Sequence, residues 1–135
     1  MDDKGVVIYT RTPASYSSTF IFTVFCPYCA VSTSANIYIS LSDSYGDGWN
    51  GNQIAVKRNT TYYPFGQSFT SGHDYPYTIK INLKTGVSYD IVPYVLGLDT
   101  NEVGFVVRNE NGIKLVERVP GKLYYATDIL STFCL

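Results

Sequence analysis

Charge is scarce in this chain. Lys, Arg, Asp and Glu make up 16% of its 135 residues, and 10 basic against 11 acidic side chains leave a formal net charge of −1. So low a charge content argues against a solvated, disordered polymer. So even a balance gives no general electrostatic attraction to nucleic acid or to an anionic membrane, and no nucleic-acid partner is expected. Residues that favour helices are also few, with Ala 5, Gln 2 and Met 1, and no stretch sustains an apolar period of 3.6. Long hydrophobic runs are missing. The most apolar stretch, Phe20 to Phe25, is far too short to span a bilayer, so no membrane insertion is expected. The opening Met1-Asp2-Asp3-Lys4 lacks the basic and apolar regions of a secretory signal. A signal already removed, one never present and an engineered start all fit that. The single histidine, His73, lies in Ser71-Gly72-His73-Asp74 and reads as a surface turn, because a catalytic triad needs groups that the fold brings together.

What the chain does have is strand chemistry. Tyr 13, Val 13, Thr 13, Ile 10 and Phe 7 dominate, punctuated by 11 Gly, 8 Asn and 6 Pro. Val6–Thr10 and Ser15–Phe25 read as the first strands. Ile37, Ile39 and Leu41 share one face of a third, and Ile54 and Val56 resume the alternation. Asn59-Thr60 and Pro64-Phe65-Gly66 mark turns. Tyr77, Ile79, Ile81 and Leu83 alternate cleanly. Tyr89–Val95 continues, with Pro93 pointing to an edge or a bulge. Val103, Phe105 and Val107 form another face, joined by the hairpin turn Asn109-Glu110-Asn111-Gly112 to Ile113 and Leu115. Leu123–Leu130 is the candidate last strand. The expectation is an all-β fold, an antiparallel β-sandwich of jelly-roll type with about eight strands. One compact domain is expected, with residues 1–34 an N-terminal strand segment and possible assembly arm, and 35–135 the sandwich module.

The most informative residues are Asp43-Ser44-Tyr45-Gly46-Asp47-Gly48-Trp49-Asn50-Gly51-Asn52. Asp43 and Asp47 are carboxylates four apart in a glycine-rich loop, and Asn50 and Asn52 add amide oxygens. Calcium takes six to eight oxygen ligands, and a loop of this chemistry supplies them. It is not an EF-hand, because Ile54 stands where the closing Glu would be. A further ligand is therefore expected from elsewhere, with Glu102, placed just before a strand, ahead of Asp99 and Asp74. The competing reading is an Asx-turn network in which Asp43 and Asp47 cap backbone amides and Trp49 plugs the end of the core.

The string Asp43 to Asn52, with the strand Ile37–Leu41 before it, Gln53–Val56 after it and the later Glu102–Val107 and Asn111-Gly112, resembles a class of extracellular β-sandwich modules found in secreted and surface repeat proteins. The likeness covers roughly residues 35–118, on the order of one domain. It implies a structural or adhesive module with metal at the loop, and no reaction.

Cys26-Pro27-Tyr28-Cys29 resembles the motif of glutaredoxins, but no amphipathic helix follows it and no βαβ unit surrounds it. Disulfide chemistry is the plainer reading. Cys26 or Cys29 pairs with Cys134, closing a loop of about 105 residues, or Cys26 and Cys29 pair together. Asn59-Thr60-Thr61 is the only Asn-x-Ser/Thr sequon, used only on a secretory route. The neighbouring Tyr62, Tyr63 and Phe65 form a candidate contact surface for a sugar or a second subunit, against core packing as the alternative. Taken together, these residues imply a non-catalytic, calcium-stabilised module of an extracellular assembly, a homo-oligomer partnered by copies of itself or by a surface carbohydrate or protein. A virion surface protein, a carbohydrate-binding module and a thiol–disulfide oxidoreductase are the alternatives.

Overall fold

The computed structural model describes residues 33–135. The strand readings at Val6–Thr10 and Ser15–Phe25, and both Cys26 and Cys29, lie outside those residues. Eight strands follow in order: β1 (Ser34–Asp43), β2 (Gln53–Arg58), β3 (Thr61–Phe65), β4 (Ile79–Lys84), β5 (Ser88–Val95), β6 (Val103–Arg108), β7 (Lys114–Arg118) and β8 (Ser131–Cys134). They form two four-stranded antiparallel sheets, ordered β4-β1-β6-β7 and β3-β2-β5-β8. The chain is an all-β sandwich. Its β2–β5 pairing nests inside the β1–β6 pairing on the opposite sheet, as in a jelly roll.

Alternation explains which faces meet. On β1 the residues Ile37, Ile39 and Leu41 point inward, as do Val107 and Phe105, the β6 partners of Ile39 and Leu41, and Leu83 on β4, which pairs with Ala35. The facing sheet contributes Ile54, Val56, Phe65, Tyr89, Ile91 and Phe133. Each large apolar side chain so buried contributes roughly 1.5–3 kcal/mol. Pro93 lies on the central strand β5, and the register there slips from Gln53↔Val95 to Ile54↔Pro93, so Tyr94 is the extra residue of a bulge.

Two sequence expectations are corrected. Pro64 and Phe65, expected in a turn with Gly66, instead end the edge strand β3, where Pro64 is tolerated because an edge strand leaves some amides unpaired. The last strand is Ser131–Cys134, not Leu123–Leu130. The latter segment is held irregular by an Asp128-centred turn, with Tyr125 N donating to Asp128 Oδ2 at 2.7 Å and Asp128 N to Tyr125 O at 3.0 Å. It is tied down by Thr100, whose hydroxyl donates to Tyr124 O and accepts from Tyr124 N.

Tyr124 is buried beneath the Arg118 guanidinium, 4.9 Å from its ring, and its hydroxyl has no hydrogen-bond partner. Burial pushes its pKa up to about 12. An unfolded chain ionises this phenol near 10, so its contribution to stability is lost as pH climbs from there toward the folded value. Tyr124→Phe is expected to leave neutral-pH stability unchanged or raised by up to about 1 kcal/mol, and to reduce the alkaline loss. Thermal melts at neutral and alkaline pH check this. A neutral-pH loss above about 1 kcal/mol would contradict it.

Candidate metal centre in the acidic glycine loop

The β1 alternation does not stop at Leu41. Asp43 is next in phase, so a carboxylate occupies a core position at the end of the strand, 2% exposed. A buried charge needs partners, and the next five residues supply them. Asp43 Oδ2 accepts from the backbone N–H of Gly46 at 2.5 Å, Asp47 at 2.8 Å and Gly48 at 3.2 Å. Gly48 makes that curl possible. Its φ is +85°, and a Cβ there would lie 2.6 Å from the Ser71 backbone nitrogen. The loop is then anchored by Trp49, 1% exposed, whose Nε1 donates to Ser42 O and whose ring packs against Phe65 and Phe69. The capping expected of Asp43 and the plug expected of Trp49 are both present.

Capping uses only half of the Asp43 carboxylate. Oδ1 is buried and has no hydrogen-bond partner. The β1–β6 register sets Asp43 opposite Val103, which brings Glu102, in a single 3-10 turn before β6, alongside it. Ser44 N donates to Glu102 O at 3.1 Å. Glu102 Oε1 is also buried without a partner. One oxygen each of Asp43, Asp47 and Glu102 lie within 4.8 Å of one another. Desolvation raises the Glu102 pKa, and the negative charges of Asp99, Asp43 and Asp47 and a carboxyl contact with Asp43 push it the same way. Three carboxylates crowded at one point repel each other unless a proton or a cation intervenes.

Of the residues read as ligands, Asp43, Asp47 and Glu102 come together. Asn50 stands at the rim, its Nδ2 3.3 Å from Asp47 Oδ1 and 3.4 Å from Asp99 Oδ2. Turned over, the same amide offers its oxygen there. Asn52 does not belong to the site, and this expectation is corrected. Its side chain is buried, donating to Trp49 O and Leu98 O and accepting from Gly97 N, so both ends of the amide are used in holding two loops together. Asp74 is exposed and pairs through its backbone with Ser42.

His73 is a neighbour that sequence reasoning missed. Its carbonyl accepts from Asp43 N at 2.7 Å, and its Nδ1 lies 3.1 Å from Asp43 O. No spacing rule signals a partner thirty residues away.

The proposed contact cluster divides. Phe65 is 2% exposed and packs edge-on against Phe105, so it is core and not contact surface. Tyr63 packs partly buried against the same core. Tyr62 is 43% exposed, its ring 5.8 Å from that of Tyr94, with Lys57 Nζ at 5.5 Å. Asn59 is exposed in the β2–β3 hairpin turn at φ 55°. Among the described residues no helix is long and apolar enough to cross a membrane. The chain matches no family model, no curated protein and no solved structure.

Proposed function

We propose that this chain is a non-catalytic β-sandwich module of an extracellular assembly, stiffened at one end by calcium held between Asp43, Asp47 and Glu102. The single observation that carries the reading is the buried Asp43 Oδ1, without a partner and beside two further carboxylates. An Asx turn accounts for Oδ2 and leaves Oδ1 unexplained. A hard cation with oxygen ligands accounts for both halves of the carboxylate. The Glu102 carboxyl, held above its ordinary pKa by burial and acidic neighbours, is a group from which a cation would displace a proton.

The extracellular placement rests on the resemblance of the loop, on the exposed sequon at Asn59, and on Cys134. That residue lies at the end of β8 and is engaged, which suits a disulfide to Cys26 or Cys29. Among the described residues β3 and β4 each pair on one side only, leaving edges for assembly with further copies.

Thermal melts of chelator-stripped protein, with and without calcium, test the reading. Calcium a hundredfold above its dissociation constant is expected to add about 2.7 kcal/mol. Equal melting temperatures in both conditions would overturn it.

A further inference from the structure

We infer that the calcium at this loop is itself the adhesive contact, and that its partner is a neutral glycan whose vicinal hydroxyls complete the metal's coordination. This deepens the calcium reading and rests on it. At the floor of the site lies Asp43, 2% exposed, with Oδ1 buried, unpartnered and within 4.8 Å of ligand oxygens on Asp47 and Glu102.

Three features of the geometry choose the partner. The first is a shortage of ligands. Calcium takes six to eight oxygens, and Asp43 can give only one, because Oδ2 is already held by three backbone amides. Asp47 and Glu102 add at most two oxygens each, so the three carboxylates stop at five and even an Asn50 oxygen only reaches the lower bound. The second is direction. Asp43 forms a buried floor, while Asp47 is exposed, so the incomplete side of the metal faces solvent. The third is charge. Three carboxylates around a divalent cation leave a net charge of about −1, and a fourth, Asp99, stands at the rim, its Oδ2 3.4 Å from Asn50 Nδ2. A phosphate or sulfate would meet that residual negative charge. A neutral diol would not, and it supplies two oxygens at the spacing of one chelate.

The rim suits such a ligand. The Asn50 amide beside Asp47 and Asp99 can turn a donor or an acceptor toward a hydroxyl. Tyr45, 73% exposed between Asp43 and Asp47, offers an aromatic face to a sugar ring.

The test passes the full-length protein over immobilised mannan and galactomannan, each also in a form oxidised with periodate and reduced with borohydride. Periodate cleaves the carbon–carbon bond of a vicinal diol, so the treated polysaccharide keeps its bulk and loses the chelating pair. The expected result is retention in calcium, release by EGTA, at least tenfold weaker retention on the oxidised matrices, and no retention of Asp47→Ala. A calcium-induced rise in melting temperature with retention on neither polysaccharide would overturn the glycan inference and leave the metal site standing. No rise and no retention would remove both. Retention that survives EGTA would place sugar binding on another surface and overturn the inference. So would calcium-dependent binding to phosphatidylserine vesicles in place of the polysaccharides.

Discussion

Asp43→Ala is expected to destabilise the protein by about 3–5 kcal/mol and to abolish its response to calcium. The loss has two sources. Three backbone amides, of Gly46, Asp47 and Gly48, lose a charged acceptor in a place where water cannot easily replace it. The metal also loses the one ligand fixed by a β-strand. Asp47→Asn is expected to behave differently, because Asp47 is exposed and its carboxylate accepts from the Asn50 side chain, not from a backbone amide. In chelator it relieves repulsion toward Asp43 and Glu102, so stability stays equal or rises by a few tenths of a kcal/mol, the scale of solvent-screened charges. In calcium it loses the metal's contribution and becomes the less stable protein. Urea denaturation of wild type and both variants, each in EGTA and in calcium, measures this reversal of order. Two variants equally destabilised in both conditions would mean that the carboxylates serve only as turn caps.

Trp49→Ala is expected to cost about 3–5 kcal/mol, the range for deleting a large buried aromatic side chain. Trp49 joins the loop to the core at both ends. Its ring packs 6.0 Å from Phe65 and 6.1 Å from Phe69, its indole N–H reaches Ser42 O, and its backbone bonds Phe69 O and the amide of Asn52. Loss of the ring leaves a cavity beside Gly66, which has no room for a Cβ because one would sit 2.3 Å from the indole. Calcium affinity is expected to fall with stability, since the loop that presents Asp47 then lacks its anchor. Trp49→Phe retains part of the packing, loses the indole bond to Ser42 O and is expected to cost less than the alanine variant. Denaturation followed by circular dichroism compares the two, because removing Trp49 removes the only tryptophan. A Trp49→Ala protein within about 1 kcal/mol of wild type would contradict the anchoring role.

Much of this was legible in the sequence where the signal is local. Alternation of Ile37, Ile39 and Leu41 announces β1, and carried one step further it places Asp43 on the core face. Pro93 announces a defect in β5, and a bulge is there. The strand β3 was not legible, because Tyr-Tyr-Pro-Phe beside Gly66 carries turn chemistry and only its pairing to β2 makes it a strand. The end of the chain misled for the opposite reason. Leu123, Tyr124 and Tyr125 suit a strand locally, but the long-range grip of Thr100 and Arg118 on Tyr124 holds the segment out of one.

In the site, Asp43 and Asp47 lie within one loop, and Glu102 was reachable from its place before a strand. Asn52 was not assignable, because an amide that ligates a metal and one that knits two loops are the same residue type. The contact of His73 with Asp43 depends wholly on the fold.

Calcium titration calorimetry on the full-length protein tests the central claim most directly. One calcium per chain is expected, with no binding to Asp43→Ala. Glu102 is held above the ordinary carboxyl value of 4.5 in the folded, metal-free protein. Its protonated form contributes stability that is complete below that value and is lost as pH rises through the raised one. Calcium must displace that proton, so in the window between those two values binding releases it, and the measured heat changes with the ionisation enthalpy of the buffer. Above the window the affinity is higher and the buffer dependence vanishes. Saturable binding of one ion, with proton release confined to that window, is the predicted result. No binding heat at any pH, with Asp43→Ala still strongly destabilised, would make the loop a hydrogen-bonded turn and contradict the account.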